Sequence, residues 1–189
     1  MSEHIPNWHI ITGGPSSGKS TTIDAIAELG HPTVPEAALA IINEGLDQGL
    51  SLEEIRGDEE AWQAKILARM RANEAAADPE ADTFFDRGVH DGVAYFRAKG
   101  LPVPEIWQAV AGTKPYKTVF LLEPLPTFEQ SYARSATEDL DFTRRITDIT
   151  YDVYAESGME PIRVPYMPVR ERAAFMLSHL QLPQVTVRL

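Results

Sequence analysis

A run of small residues with one lysine, GGPSSGKST at residues 13–21, has the composition of an anion grip. Gly13-x-x-x-x-Gly18-Lys19-Ser20 satisfies the phosphate-loop pattern in full. Glycine lets the backbone curl until several N–H groups converge on one phosphate. The helix that must follow adds free N–H groups and a partial positive charge. Gly13, Gly14, Pro15, Ser16, Ser17, Gly18, Lys19, Ser20 and Thr21 are therefore the expected ATP-binding residues. Lys19 would reach the β- and γ-phosphates, and the Ser20 hydroxyl would ligate Mg²⁺.

Three further segments carry groups that could act on such a phosphate. FFDRG brings Asp86 to the end of an apolar stretch, where a carboxylate could hold Mg²⁺, followed at once by Arg87, which could bind phosphate or stabilise charge in transfer. The plainer reading is a strand-end Asp with Arg87 in a surface ion pair. VPEAA places Glu36 where it could take a proton from a substrate hydroxyl, or simply meet a helix dipole behind Pro35 at a first helical position. Asp91 divides evenly between lining a pocket and complementing the next helix, and His90 reads as a packing or surface residue. Arg134, Arg144 and Arg145 could close over phosphates from a mobile segment. Arg134 leans to that role and the other two to solvated ion pairs. The five histidines show no zinc-binding spacing.

These residues need elements to position them. Segments 8–12, 32–35, 82–86, 117–123 and 161–165 are rich in β-branched or aromatic residues and read as strands, with VTVRL at 185–189 as a final edge strand. Helical patterns lie between. Ile23, Ile26 and Ala27 share a face that Gly30 would stop, Ser51 and Glu54 make a capping box, and Asp58 caps a run with Trp62, Ile66 and Met70 on one side. Phe142, Ile146, Ile149 and Val153 form another face, and a last helix is expected from Val169 to Leu180. Alternation of strand and helix implies an α/β layered fold with a mostly parallel sheet. Ligands bind such sheets beyond the carboxyl ends of the strands, where Gly13, Glu36 and Asp86-Arg87 all fall.

The 189 residues suffice for one domain, 1–189, with a core of its own. Composition is that of a soluble protein, no apolar run approaches a membrane span, and residues 1–8 lack the pattern of a signal peptide, so a cytoplasmic location is expected. Without cysteine there is no disulfide or thiolate metal site. A net charge of −11 argues against a nucleic-acid polymer or an anionic membrane as partner, but leaves room for a small anion held by a few basic groups. The sequence does not encode an oligomeric state that can be read.

ITGGPSSGKST, VPEAALAII, FFDRGVHDGVAYFRAKGLPVP, Arg134 and EPIRVPYMPVRERAAFML together resemble the small bacterial AAA-type ATPase family of about 180 residues, the AAA domain family allied to the ribosylnicotinamide kinase domain. The likeness runs over nearly the whole chain with landmarks in the same order. It implies a three-layer α/β/α P-loop fold of nucleoside and nucleotide kinase type, with five parallel strands in the order 2-3-1-4-5. Such kinases have a Glu base after the second strand and an acidic residue with Arg after the third, which Glu36, Asp86 and Arg87 match. Asp91 stands where thymidylate kinases carry Ser. Arg134 falls in their lid region, a candidate lid over 124–145, but between Ala133 and Ser135 rather than in a basic pair. The expected activity is transfer of the ATP γ-phosphoryl group to a small-molecule acceptor held by residues 39–77, with Lys19, Glu36, Asp86, Arg87 and Arg134 as catalytic residues and Ser20 and Asp86 on Mg²⁺. Either Glu36 or Asp86 would be the base. The alternative is an ATPase or nucleotide-dependent switch acting on a protein partner.

Overall fold

The computed structural model describes residues 5–126 and 139–184. Five strands, β1 (Trp8–Thr12), β2 (Thr33–Val34), β3 (Thr83–Asp86), β4 (Thr118–Leu122) and β5 (Ile162–Val164), form one parallel sheet in the order β2-β3-β1-β4-β5. The helices are α1 (Lys19–Glu28), α2 (Ala37–Asp47), α3 (Leu52–Arg56), α4 (Glu59–Ala76), α5 (His90–Ala98), α6 (Glu105–Ala111), α7 (Leu140–Glu156) and α8 (Val169–His179). The expected fold and strand order are both present. The expected strand at 185–189, and Arg134 with most of the candidate lid, lie outside the described residues.

Strand side chains alternate between two covered faces, which is why the strands read as nearly continuous apolar runs. Ile10, Phe85 and Val119 face Leu67, Met70, Val93, Trp107 and Val153 of α4, α5, α6 and α7. Ile11, Phe84, Phe120 and Val164 face Ile23, Ile26, Ala173 and Met176 of α1 and α8. A satellite cluster of Ile42, Ile55 and Trp62 ties α2, α3 and α4 together away from the sheet.

Local signals set the helix ends. The Ser51 and Glu54 capping box forms at the start of α3, and the Asp58 side chain accepts from the Ala61 N–H at the start of α4. Gly30, at φ 89°, follows α1 and closes it through its N–H on Ala27 O. One detail differs from expectation. Pro35 is not the first residue of α2; Glu36 is its N-cap residue, and the helix begins at Ala37. The short β2 ends at Val34, so the extended backbone of Pro35 and Glu36 carries the chain off the sheet before the helix can start.

The α5–α6 contact is tight enough to test. A Cβ on Gly92 would lie 2.2 Å from Trp107 Cζ3, whereas one on Gly112 meets nothing nearer than 3.4 Å. Gly92→Ala should therefore cost about 1–3 kcal/mol. Gly112→Ala should stay within about 0.5 kcal/mol. Urea midpoints at constant slope are the measurement.

Candidate active site

The turn after β1 is built on two left-handed or near-left-handed glycines, Gly13 at φ 143° and Gly18 at φ 80°, with Ser16 at φ 59° between them. Neither glycine could carry a side chain. A Cβ on Gly13 would sit 2.7 Å from Leu122 O, and one on Gly18 would sit 2.7 Å from Arg172 Nη1. The loop is also held from behind. Arg172 of α8 donates from Nη1 to Ser17 O at 2.9 Å and from Nη2 to Met167 O at 3.1 Å. From α7, Thr143 Oγ1 donates to Pro15 O at 3.1 Å, and Thr147 Oγ1 accepts from the Gly14 N–H at 3.2 Å.

Lys19 is 6% exposed and folds back over the loop, donating from Nζ to Gly14 O at 2.8 Å and Gly13 O at 3.1 Å. Burial, reinforced by the charge of Arg87, pushes its pKa down to about 8, against the pull of Asp86, Glu36 and Asp91. Asp86 ends β3 opposite Ile11 of β1 and is 5% exposed. Its Oδ2 accepts from Ser20 Oγ at 3.5 Å. Its Oδ1 is buried with no hydrogen-bond partner among the described residues. Burial, with the charge of Glu36 adding, pushes the Asp86 pKa up to about 7, while Lys19 and Arg87 oppose the shift.

Arg87 takes a left-handed backbone, φ 71°, which turns its side chain back across the strand ends. Its guanidinium donates from Nε to Glu36 Oε1 at 3.2 Å, from Nη1 to Asp91 Oδ1 at 2.9 Å and to Gly13 O at 3.1 Å, and from Nη2 to Tyr95 Oη at 3.2 Å. Burial works against its charge, but Tyr95, Glu36, Asp91 and Asp86 together hold its pKa well above the ordinary value. Asp91 lines the cavity in front of the loop and stands in the first turn of α5, and it does more than either. Both its oxygens are filled: Oδ1 by Thr12 Oγ1 at 2.5 Å and Arg87, Oδ2 by the Gly88 N–H at 3.1 Å and Tyr154 Oη at 2.7 Å. His90 is wholly buried and stacks on Tyr154 at 4.8 Å, so it is a packing residue.

In front of the loop lies a cavity of about 740 Å³. Residues of the phosphate loop, Glu36, Arg87, Asp91 and Tyr95 line one end, and six residues, Leu39, Ile42, Trp62, Gln63, Ile66 and Met70, line the far wall beside the charged Arg56, Glu59 and Lys99. Those six fall within the 39–77 segment expected to hold an acceptor. Glu36, with its side chain 25% exposed, lines this cavity; Asp86 does not. The two carboxylates are thus separated by access, one facing the cavity and one facing Ser20. Arg144 is exposed and paired with Asp141 at 3.4 Å, and Arg145 lies 5.4 Å over the Phe142 ring; neither lines the cavity.

No cluster of three or more His, Cys, Asp or Glu side chains among the described residues could enclose a metal. The donor set suits Mg²⁺ nonetheless, because that ion is usually held by one or two carboxylates together with phosphate oxygens and water. The unpartnered Asp86 Oδ1 and the adjacent Ser20 hydroxyl fit that role. No helix among the described residues is long and apolar enough to cross a membrane.

The groups that sequence reasoning passed over are Arg172, Thr143, Thr147 and Tyr154. Each acts through a partner more than 60 residues away. Thr143, Thr147 and Thr150 on the buried side of α7 were a visible signal, being polar residues repeated at helical spacing beside an apolar stripe.

Comparison with known proteins places this arrangement. The profile of a family described as an AAA domain matches residues 8–172. No curated protein sequence matches. Among solved structures, thymidylate kinase from Ehrlichia chaffeensis is 15% identical with a TM-score of 0.64, over 93% of this chain and 98% of that one. NadR protein in complex with NR is 12% identical with a TM-score of 0.69, covering 98% of this chain and 53% of that one. Shikimate kinase from Acinetobacter baumannii in complex with shikimate is 14% identical with a TM-score of 0.56, over 95% and 94% of the two chains. At these identities the likeness establishes the fold, a five-stranded P-loop kinase fold.

The buried Asp86 makes a prediction about pH. Well below pH 3.8 it is protonated in both folded and unfolded chains. As pH rises the unfolded chain releases its proton near 3.8, whereas the native chain keeps it until about 7. Across that window the unfolded state binds fewer protons, so this residue makes stability fall with rising pH. Asp86→Asn should remove the fall: against the parent, its urea midpoint should gain progressively between pH 4 and 7 and gain little more above that.

Proposed function

Since the chain belongs to this AAA domain family and carries the P-loop kinase fold, we propose that it is a Mg·ATP-dependent small-molecule kinase. The observation that carries the reading is the 740 Å³ cavity joining the phosphate loop to an apolar wall, with Glu36 at the junction. A phosphoryl acceptor needs such a volume, and water does not.

In this reading the backbone N–H groups from Ser16 to Thr21 receive the triphosphate, and Lys19 leaves its carbonyl contacts for the phosphate oxygens. Ser20 and Asp86 would hold Mg²⁺, which would supply positive charge against the phosphates. Glu36 is the base, because it alone of the two candidate carboxylates faces the cavity. It accepts the proton of the acceptor hydroxyl as that oxygen bonds to the γ-phosphorus and the bond to the ADP oxygen breaks. Arg87, already hydrogen-bonded to Glu36, orients the base and offers its guanidinium to the phosphoryl oxygens. Arg134 belongs to the same proposal as an arginine of a lid within 124–145. The acceptor is a nucleoside-like or other small metabolite. A nucleic-acid polymer is not the partner, given the charge of −11. An ATP-consuming reaction of this kind belongs in the cytoplasm.

The test is phosphoryl transfer from ATP with Mg²⁺, alone and with a panel of nucleosides, nucleotides and small alcohols. One acceptor class should stimulate turnover. Glu36→Gln should lower kcat by about 10²–10⁴-fold while nucleotide affinity holds. Lys19→Ala should lose nucleotide binding together with turnover. Slow ATP hydrolysis indifferent to every acceptor would replace the kinase by the ATPase or switch reading.

A further inference from the structure

We propose that Arg172 is a positioning residue for the nucleotide phosphates: from behind the loop it fixes a peptide that faces them, and it supplies a positive charge that the protein leaves unmatched. This rests on the phosphate-loop part of the reading above and not on the acceptor. Arg172 stands one turn into α8 and is 3% exposed. Among the described residues each of its hydrogen bonds goes to an uncharged oxygen: Ser17 O at 2.9 Å, Met167 O at 3.1 Å, Thr22 Oγ1 at 3.4 Å and Gly18 O at 3.5 Å. Its Nε is buried with no partner among them. Arg87 is the contrast, with Asp91 at 2.9 Å and Glu36 at 3.2 Å. Burial accordingly pulls the pKa of Arg172 below the ordinary arginine value, whereas that of Arg87 is held well above it. A buried cation that meets only dipoles is costly, and an anion nearby relieves the cost.

The guanidinium reaches the ligand side through one peptide. Ser17 O and the Gly18 N–H belong to the same peptide unit, which is trans, so they point in opposite directions. An arginine on the carbonyl side therefore holds that N–H turned away from itself, and the hydrogen bond polarises it into a stronger donor. Ser17 and Gly18 both line the cavity, where the phosphates would lie. Gly18 is what admits the guanidinium this closely, since a Cβ there would lie 2.7 Å from Nη1. The bond to Met167 O anchors the same group to the turn between β5 and α8, so it cannot swing toward the ligand and acts only through the loop. Within the protein the cation faces dipoles; a bound phosphate would give it an anion across one peptide plane. So little water reaches Arg172 that this attraction is weakly screened and adds to that of Lys19.

The experiment measures nucleotide binding to the full chain by calorimetry, without an acceptor. The ligands are Mg·ATP and, in EDTA, free ATP, which carries more negative charge. Arg172→Gln keeps a donor for Ser17 O and removes the charge, whereas Arg172→Lys keeps the charge and removes the fork. Arg172→Gln should raise the Kd of Mg·ATP by at least about tenfold, and its effect on free ATP should be larger again by at least about threefold. Arg172→Lys should recover most of the loss, to within about threefold of the parent. Arg172→Met, neutral and with no polar group to bury, makes the same test should Arg172→Gln fold poorly. Urea transitions of the free chains confirm that each variant is folded. A brace without an electrostatic role would lower the urea midpoint and weaken both ligands by one factor, with Lys no better than Gln. That pattern overturns the proposal, and so do Kd values within about twofold of the parent in the folded neutral variants. A parent chain that binds neither ligand overturns the phosphate-loop reading itself, and this inference with it.

Discussion

A carboxylate buried as deeply as Asp91 must have its lone pairs filled, and filling them draws three parts of the fold to one point. Thr12 comes from the end of β1, Arg87 and the Gly88 N–H from the turn after β3, and Tyr154 from the last turn of α7. Asp91 is the hub, and Arg87 is the group it aims. Removing one partner from such a buried pair typically costs about 3–5 kcal/mol, because the other charge is left stranded. The left-handed backbone at Arg87 is a local cost that this network sustains. The guanidinium then reaches Gly13 O and Glu36 at once, so the loop and the cavity carboxylate share one fixed reference.

Around that hub the site is electrostatically unfinished. Lys19 has a pKa pushed down to about 8 and Asp86 one pushed up to about 7, so burial disfavours the charged form of each. Mutual attraction does not make good the loss of water, although each group pulls the other toward its charged form. A bound anion would stabilise the ammonium and a bound cation the carboxylate, so the two shifts are relieved together by a ligand that brings both charges. Perturbed groups of this kind collect where ligands bind. The buried Tyr116–Glu74 pair tells a different story. Tyr116 donates to Glu74 Oε1 at 2.5 Å and accepts from the Val89 N–H at 2.9 Å, a satisfied pair that only locks the start of α5.

Much of this was legible in the chain, and what was not has a physical cause. The phosphate loop, the strand-end Asp86-Arg87 and the position of Glu36 are local patterns, fixed by the few residues around them. So are the Ser51 and Asp58 caps and the apolar stripes of α4 and α7. Arg172 could not be read this way. It lies 155 residues from Ser17, and an arginine one turn into a helix is ordinarily a solvated charge. Asp91 was legible as a charged residue near a helix start, and Gly88 and Arg87 are close to it in the chain, but Tyr154 and Thr12 lie 63 and 79 residues away, which no local pattern encodes. The choice between Glu36 and Asp86 was closed for the same reason: both stand at strand ends in the sequence, and only the fold shows that one faces the cavity and the other faces Ser20.

The position of the cavity follows from where the chain departs from the sheet. Between β2 and β3 it adds α2, α3 and α4, which cannot all pack on the strands and so bury Ile42, Ile55 and Trp62 against one another. Gly45 makes that possible by letting α2 approach α3, since a Cβ there would lie 2.5 Å from Ile55 Cγ1. The satellite cluster gives the cavity a wall with its own support. Met70 belongs to the main core and Trp62 to the satellite, so α4 joins the two. The phosphate end is fixed by the sheet and the Asp91 hub, and the opposite wall by a small core that shares few residues with it. Side chains on that wall can therefore change without disturbing the loop, whereas the groups around Asp91 cannot. In a fold built this way, the phosphate-loop end of the cavity and most of its apolar wall are held by different cores.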